Sequence, residues 1–261
     1  MFPAPPGAPL VVFLTGTGGT ADWADRETGW SQLARREGFA LAVPNALPPD
    51  PTKPPTFLTN PPRWNDGSPP LFQPPVADDV SFLITVINDA ALRWGADSRH
   101  VFVTGFSNGA GMTFRLAAEA ADRVAAIAPV AGYCWVPEPL PVRPVPTLYM
   151  IGTHDLLVPL RGGDVRLPWN NRLARRPPVN DTLERWARAI GCAPVPVPKT
   201  ADQNVRVESY PGPVPFDTVT VEGLGHHWPG GGALMNPRLA GPPSSAISAT
   251  ETIWDFFRRL L

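Results

Sequence analysis

Short, continuous runs of apolar residues recur along the chain and alternate with longer segments in which apolar side chains return every three or four positions. The runs are typical of strands buried on both faces of a sheet, and the longer segments are typical of amphipathic helices. The predicted strands occupy residues 10–14, 40–43, 99–106, 124–130, 146–151, 205–210 and 219–221. The predicted helices cover residues 30–39, 80–90, 112–120, 182–190 and 248–260, the last beginning with a capping box of Ser248 and Glu251. This order predicts an α/β fold with a mostly parallel central sheet and helices on both faces.

One long segment, residues 44–75, interrupts the alternation and is rich in proline. A compact domain keeps a connection of this length mainly where it borders a functional site. The 36 prolines of the chain are scattered singly or in pairs, which favours stiff, ordered loops. Residues 1–261 are expected to form one domain, because the length suits a single α/β unit and no internal repeat is found.

Composition narrows the possible partners. The formal net charge is -1, so no basic face is expected for nucleic acid or for an anionic membrane. No apolar run approaches the roughly 18 residues of a membrane-spanning helix, and the first residues lack the cationic start and apolar core of a signal peptide. Cys134 and Cys192 allow at most one disulfide and lack the spacing of a zinc or redox motif.

A candidate catalytic motif, G-x-S-x-G, lies where the predicted strand 99–106 meets a predicted helix. In a nucleophile elbow a serine is exposed on a sharp strand-to-helix turn, and side chains two residues on either side would collide with neighbouring backbone. Gly105 and Gly109 remove that collision around Ser107. The backbone N–H of Asn108 would then begin an oxyanion hole at the helix N-terminus. The alternative is an ordinary glycine-containing turn, because the motif also occurs by chance.

A glycine-rich loop, residues 15–20, follows the first predicted strand. It lacks the lysine of a P-loop, and no G-x-G-x-x-G opens the next helix, which disfavours phosphate binding. A loop in this position supplies the second donor of an oxyanion hole in many hydrolases. The expected donor here is the backbone N–H of Thr17.

An activated serine needs a base and an acid that orients the base. His226 and His227 follow the final predicted strand, so both are expected at the carboxyl edge of the sheet, where a base for Ser107 would lie. Asp155 ends the strand at 146–151 and is the candidate acid, with a turn cap as its alternative interpretation. Aromatic side chains in the neighbouring loops, Trp64, Trp135, Trp169 and Trp228, are expected to contact substrate or to fill the core.

Four separate blocks carry a resemblance: VFVTGFSNGAGMTFRLAAEAADRVAAIAPVAG, GTHDLLVP, GLGHHWPGG and SAISATETIWDFF. Together they resemble the polyhydroxybutyrate depolymerase and feruloyl esterase family of α/β-hydrolases, which includes the LpqC-like secreted esterases. The resemblance implies an α/β-hydrolase fold, a nucleophile at Ser107, an acid at Asp155 and a base at His226. His227 then occupies a variable position and is assigned to substrate binding together with Trp64, Trp135 and Trp228. An extracellular location is also implied.

Three segments depart from the family pattern. A threonine, Thr15, stands where the family has a histidine before its first loop glycine, although the backbone donor should survive. Cys192 has no partner near residues 210–213, so the disulfide of many relatives is not expected. Residues 44–75 and 160–178 match least well, and the family sets its substrate choice in such loops.

The resulting hypothesis is a serine carboxylic-ester hydrolase that needs neither a metal nor an organic cofactor. Its substrate, small or polymeric, would be a feruloyl or other aryl ester, an acetyl ester, or a hydroxyalkanoate ester. Two other functions stay open at this point. They are a non-catalytic binding protein on the same fold and a serine peptidase.

Overall fold

The computed structural model describes residues 2–69, 77–169 and 171–261. Its strands are β1 (Pro9–Leu14), β2 (Ala40–Ala42), β3 (Asp97–Phe106), β4 (Ala126–Val130), β5 (Thr147–Gly152), β6 (Gly163–Arg166), β7 (Leu173–Arg176), β8 (Val197–Ala201), β9 (Val205–Ser209) and β10 (Phe216–Val221). Its α-helices are α1 (Ala21–Thr28), α2 (Trp30–Glu37), α3 (Asp79–Trp94), α4 (Asn108–Glu119), α5 (Val179–Ala189), α6 (Pro237–Ala240) and α7 (Ala249–Arg258).

Eight strands form the central sheet in the order β2-β1-β3-β4-β5-β10-β9-β8. The six strands from β2 to β10 pair in parallel, whereas β9 and β8 are antiparallel additions at one edge. Because the chain runs from β1 outward to β2 and then returns to β3 on the other side, the strand order reverses between β1 and β3. Ligand sites in open α/β sheets lie at such a reversal, outside the carboxyl ends of the strands.

Helices cover both faces of the sheet, as the sequence predicted. Helix α4 packs against β1, β3 and β4, and Phe114 on α4 meets Trp186 on α5 at 5.3 Å between ring centroids. Helix α7 contacts α2, and its Phe257 stacks on Phe102 of β3 at 4.6 Å. One half of the predicted capping box is confirmed, because the Ser248 side chain accepts a hydrogen bond from the Glu251 backbone N–H. The Glu251 carboxylate pairs with Arg36.

The predicted strands and helices are all present, with bounds that shift by a few residues. Five of these elements have no counterpart in the prediction: helices α1 and α6, strands β6 and β7, which form a hairpin, and strand β8. Strand β8 is exposed along its whole length, so it carries no apolar run that would signal burial. Within strands β6 and β7 only the Val165 side chain is buried, so this hairpin also lacks the apolar pattern that would have predicted it.

The proline-rich connection, predicted at 44–75, contains no helix or strand over its described part, residues 44–69, while positions 70–75 lie outside the described residues. Its order comes from side-chain hydrogen bonds. The Asn60 side-chain Nδ2 donates to the Asp50 backbone carbonyl at 2.9 Å, and the Asn60 side-chain Oδ1 accepts from the Asp50 backbone N–H at 2.9 Å. Within the described parts of the chain, no helix has the length and apolar character needed to span a bilayer.

Both cysteines are free and buried. Cys134 lies just after β4, and burial raises the pKa of its thiol to about 11. Cys192 follows α5, where its thiol faces the Val214 carbonyl at 3.8 Å. Neither thiol therefore has the exposed, low-pKa character of a reactive cysteine.

Candidate active site

Ser107 occupies a strained turn between β3 and α4. Its φ is 56° and its ψ is -116°, a backbone conformation that L-residues other than glycine rarely adopt. A Cβ on Gly105 would lie 2.4 Å from the Gly109 carbonyl oxygen, and a Cβ on Gly109 would lie 2.0 Å from the Leu14 carbonyl oxygen. The collisions expected from the G-x-S-x-G spacing are thus confirmed, and both glycines are required by the close approach of backbone.

The loop after β1 lies directly against this turn. A Cβ on Gly16 would be 3.2 Å from the Ser107 Cβ, and Thr17 faces the same cavities as Ser107. Thr15 shapes the loop from within, because its hydroxyl donates to the Gly19 carbonyl at 3.3 Å. The threonine that replaces the family's histidine therefore closes the loop with its own side chain.

Asn108, the first residue of α4, links the elbow to the proline-rich connection. Its amide oxygen accepts from the Trp64 backbone N–H at 2.8 Å, and its amide nitrogen donates to the Trp64 carbonyl at 3.0 Å. The Trp64 indole N–H in turn donates to the Thr15 carbonyl at 3.1 Å. Three segments that are distant in sequence are thereby held together around the serine.

Asp155 and His226 form a buried pair. Asp155 Oδ2 lies 2.8 Å from His226 Nδ1, and the two side chains are 0% and 2% exposed. The other carboxylate oxygen accepts hydrogen bonds from the backbone N–H groups of Leu157 at 2.9 Å and Val158 at 2.7 Å. The carboxylate is therefore fixed in orientation and directs the imidazole through Nδ1, which leaves Nε2 on the far side of the ring.

Ser107 and His226 line one cavity of about 290 Å³, which we call the aromatic cleft. The imidazole lies beside the ring of Phe106, the residue before the serine, with centroids 4.7 Å apart. The apolar walls are contributed by Trp23, Phe57, Phe106, Leu157, Pro168, Trp169, Leu234, Met235 and Leu239. An ester bound at Ser107 would find room in this cleft for an aromatic ring or an apolar chain.

A second, smaller cavity of about 50 Å³ adjoins the same serine, and we call it the polar pocket. It shares Thr17, Ser107, Leu157 and Trp169 with the aromatic cleft, and it adds Arg63, Asp66, Ser68, Asn108, Gly132, Tyr133, Trp135, Val158, Leu167 and Arg176. Burial lowers the pKa of the Arg63 and Arg176 guanidinium groups and raises the pKa of the Tyr133 hydroxyl well above its ordinary value. The two guanidinium groups stay protonated, and their charges are poorly solvated because water is largely excluded from the pocket.

The structure corrects three of the predicted substrate contacts. Trp64 is 1% exposed and supports the loop after β1. Trp228 is 2% exposed, donates its indole N–H to Thr250 and packs edge-on against Phe13 at 5.3 Å. His227 is 1% exposed and directs Nε2 to the Gly241 carbonyl at 2.9 Å. These side chains belong to the core behind the site, because a substrate in either cavity does not reach them.

The fourth predicted contact, Trp135, does line a cavity, namely the polar pocket, where the Arg176 guanidinium lies 5.6 Å from its ring centroid. Several lining residues were not predicted. Trp23 lies on helix α1, which has too little apolar periodicity to be recognised. Arg63 and Arg176 resemble solvated surface charges in the sequence, and only folding brings the proline-rich connection and the end of β7 to one pocket.

The correction at Trp228 and the position of Trp169 give a paired prediction. We expect Trp169→Ala to raise KM for 4-nitrophenyl acetate by about tenfold, because it removes apolar contact area from the cleft. We expect Trp228→Phe to leave KM nearly unchanged and to lower the free energy of unfolding by about 1–3 kcal/mol, because a buried hydrogen bond to Thr250 is lost. Steady-state kinetics and urea unfolding of both variants check this, and a KM effect in Trp228→Phe of equal size would contradict it.

Comparisons with known proteins find relatives that are named as esterases. The chain is 30% identical over 278 residues to "Putative esterase NocK" of Nocardia uniformis subsp. tsuyamanensis, covering 97% of this chain and 74% of that protein. It is 30% identical over 161 residues to feruloyl esterase B of Piromyces equi, which covers 58% of this chain but only 29% of that longer protein. Among solved structures, the acetyl xylan esterase from Aspergillus awamori superposes with a TM-score of 0.61 at 15% identity, over 97% of this chain and 89% of the other. No family model matches the chain.

The parallel sheet, its covering helices and the strained serine turn at the strand reversal define an α/β-hydrolase, and the solved esterase structures share this fold. Within that class, the chain belongs to the same esterase family as the protein named "Putative esterase NocK". It is a carboxylic ester hydrolase, and its substrate is an ester.

Proposed function

We propose that the chain hydrolyses its ester through a covalent acyl-enzyme on Ser107, with His226 as general base and Asp155 as the residue that orients it. The observation that carries this proposal is the buried Asp155–His226 pair, whose imidazole lines the same cleft as a serine held at positive φ. An exposed serine alone would be an ordinary turn residue. A buried carboxylate bonded to the imidazole beside it is the arrangement that activates one.

In the first step, His226 Nε2 accepts the Ser107 hydroxyl proton as the serine oxygen forms a bond to the ester carbonyl carbon. The carbonyl oxygen becomes negative and is stabilised by the backbone N–H groups of Thr17 and Asn108. The carbon–oxygen bond to the alcohol then breaks, and the imidazolium returns its proton to the departing alcohol. A water molecule releases the acid by the same sequence and restores the serine.

The proposed substrates are feruloyl or other aryl esters and hydroxyalkanoate esters, the latter including polyesters. Two features support this range. The aromatic cleft offers apolar walls around Ser107 for a ring or a chain. Feruloyl esterase B of Piromyces equi, a relative at 30% identity, acts on feruloyl esters according to its name.

The experiment compares hydrolysis of 4-nitrophenyl acetate, methyl ferulate and a 3-hydroxybutyrate oligomer by the purified chain, with Ser107→Ala as the blank. We expect turnover that disappears in the variant. Ferulate release would identify an aryl ester substrate, and oligomer cleavage would identify a polyester substrate. If none of the three esters is cleaved above the blank, the proposal is wrong and a non-catalytic binding protein becomes the better interpretation.

A further inference from the structure

The polar pocket differs sharply in chemistry from the aromatic cleft beside it, although both open on Ser107. Its volume of about 50 Å³ is space for roughly four water-sized groups, since one such group needs about 10–15 Å³. A feruloyl ring does not fit in that volume. The pocket therefore suits a short substituent of a few atoms close to the ester carbonyl.

Four polar atoms around this pocket are buried without a hydrogen-bond partner among the described residues. They are Arg63 Nε, Tyr133 Oη, Trp169 Nε1 and Arg176 Nε. The two guanidinium nitrogens and the indole nitrogen can only donate, and the tyrosine hydroxyl can donate as well. Buried donors of this kind cost free energy unless a ligand or solvent accepts from them. The group they would bind is accordingly a hydrogen-bond acceptor.

The charges around the pocket favour an acceptor that is anionic. Two guanidinium groups, those of Arg63 and Arg176, face it together with a single carboxylate, that of Asp66. Asp66 already accepts from the Ser68 N–H at 3.1 Å and hydroxyl at 2.5 Å, and it lies 3.5 Å from the Arg63 guanidinium. The Arg176 guanidinium lies over the Trp135 ring, and no described residue other than Asp66 brings a carboxylate to the pocket.

The position of His226 indicates which half of the ester enters the pocket. In the proposed mechanism the imidazole protonates the departing alcohol, so the alcohol half must lie on the side of Ser107 that His226 lines. His226 lines the aromatic cleft but not the polar pocket, whereas Asn108 lines the polar pocket but not the aromatic cleft. With the alcohol on the His226 side, an acyl half that is short enough is directed into the polar pocket.

We propose that the polar pocket is an acyl-binding subsite for a short acyl chain that ends in a carboxylate, so that half-esters of small dicarboxylic acids are preferred among esters of short acyl chains, while larger acyl groups use the aromatic cleft. The inference rests on the proposed function, because it uses His226 as the acid that protonates the alcohol. The aromatic cleft then receives the alcohol. Tyr133, Trp169, Arg63 and Arg176 donate to the terminal carboxylate, and the two arginines supply the opposing charge.

The test compares kcat/KM for three benzyl esters of similar acyl size. Monobenzyl succinate carries the carboxylate, benzyl levulinate replaces it with a neutral ketone, and benzyl pentanoate has no acceptor. We expect the succinate to be preferred over the pentanoate by about 10- to 100-fold, with the levulinate between them, because hydrogen bonds to a charged group are worth that factor. We expect the succinate-to-pentanoate ratio to fall by about the same factor in Arg176→Gln.

The matched control is Arg175→Gln, the preceding residue on β7, whose side chain is 84% exposed and pairs with Asp164. The ratio should stay at the wild-type value in that variant. Tyr133→Phe, which removes one donor and preserves the ring, should lower the ratio by a smaller factor and serves if Arg176→Gln fails to fold.

The outcomes separate the two proposals. Cleavage of all three esters that depends on Ser107 but shows no preference for the succinate would overturn the subsite and leave the esterase mechanism standing. Equal rates for levulinate and succinate would also overturn it, because a neutral acceptor would then suffice. If the wild-type chain cleaves none of the three esters above the Ser107→Ala blank, the catalytic proposal itself fails, and the subsite falls with it.

Discussion

Ser107→Ala is expected to lower kcat for 4-nitrophenyl acetate by a factor on the order of 10⁴ to 10⁶, which is the scale of losing the nucleophile in a serine hydrolase. The reason is that every covalent step of the proposed mechanism passes through the Ser107 oxygen. The residual kcat of the variant would come from substrate binding and from the N–H groups of Thr17 and Asn108, which still polarise the carbonyl towards attack by water. Stopped-flow kinetics would add a second measure, because the burst of 4-nitrophenol from the acyl-enzyme should vanish.

The control for this prediction lies on the same strand. Ser98 is exposed near the amino end of β3, opposite the site, so Ser98→Ala should retain wild-type kcat and KM. Both variants should unfold at nearly the wild-type temperature, because alanine keeps the Cβ that the Ser107 turn already accommodates. A Ser107→Ala enzyme with more than a few per cent of the wild-type kcat would show that the nucleophile lies elsewhere.

The fold and the serine turn could be predicted from the sequence because their causes are local. A strand buried on both faces, such as β1, must be apolar throughout, and its pattern is visible without any tertiary information. Gly105 and Gly109 are likewise required by the immediate approach of backbone, so the motif identifies the turn. The parts that escaped prediction, such as the β6–β7 hairpin, are mostly exposed and have no comparable constraint on their side chains.

Which aromatic side chains line the site could not be predicted, because that depends on contacts between distant segments. Trp64 and Trp228 lie in loops at the correct edge of the sheet, yet both turn inward, where Thr15 and Thr250 accept their indole N–H groups. Trp169 reaches both cavities because a hairpin that the sequence does not reveal carries it over the serine. The local sequence does not distinguish a loop tryptophan that lines a cavity from one that packs into the core.

The charged residues of the polar pocket illustrate the same limit. Arg63 and Arg176 are separated by more than a hundred residues, and only in the folded chain do both line the polar pocket. Nothing in the local sequence distinguishes them from the solvated arginines nearby, such as Arg175. The catalytic assignments of Ser107, Asp155 and His226 stay predictions, and the Asp155–His226 hydrogen bond is the geometric support for the pairing.

Asp155→Asn is expected to lower kcat by a factor on the order of 10⁴ while leaving the fold intact, the scale seen when the acid of a serine triad becomes an amide. The cause is the tautomer of His226. The backbone N–H groups of Leu157 and Val158 donate to one carboxylate oxygen, so in the variant they hold the amide oxygen in that place. The amide NH₂ must then face His226 Nδ1 and donate to it. The proton of the neutral imidazole moves to Nε2, which can no longer accept the Ser107 proton.

A second property of this variant separates orientation of the base from a merely structural role for Asp155. Because the defect is a misplaced proton, KM should change little while kcat collapses, and raising the pH, which favours the alkoxide of Ser107, should restore part of the rate. Asp122→Asn, an exposed aspartate after α4, is the matched control and should behave as wild type. If Asp155→Asn instead lowers the unfolding temperature sharply and its remaining folded fraction keeps wild-type kcat, Asp155 is a turn cap. Its assignment as the acid of the proposed triad would then be wrong.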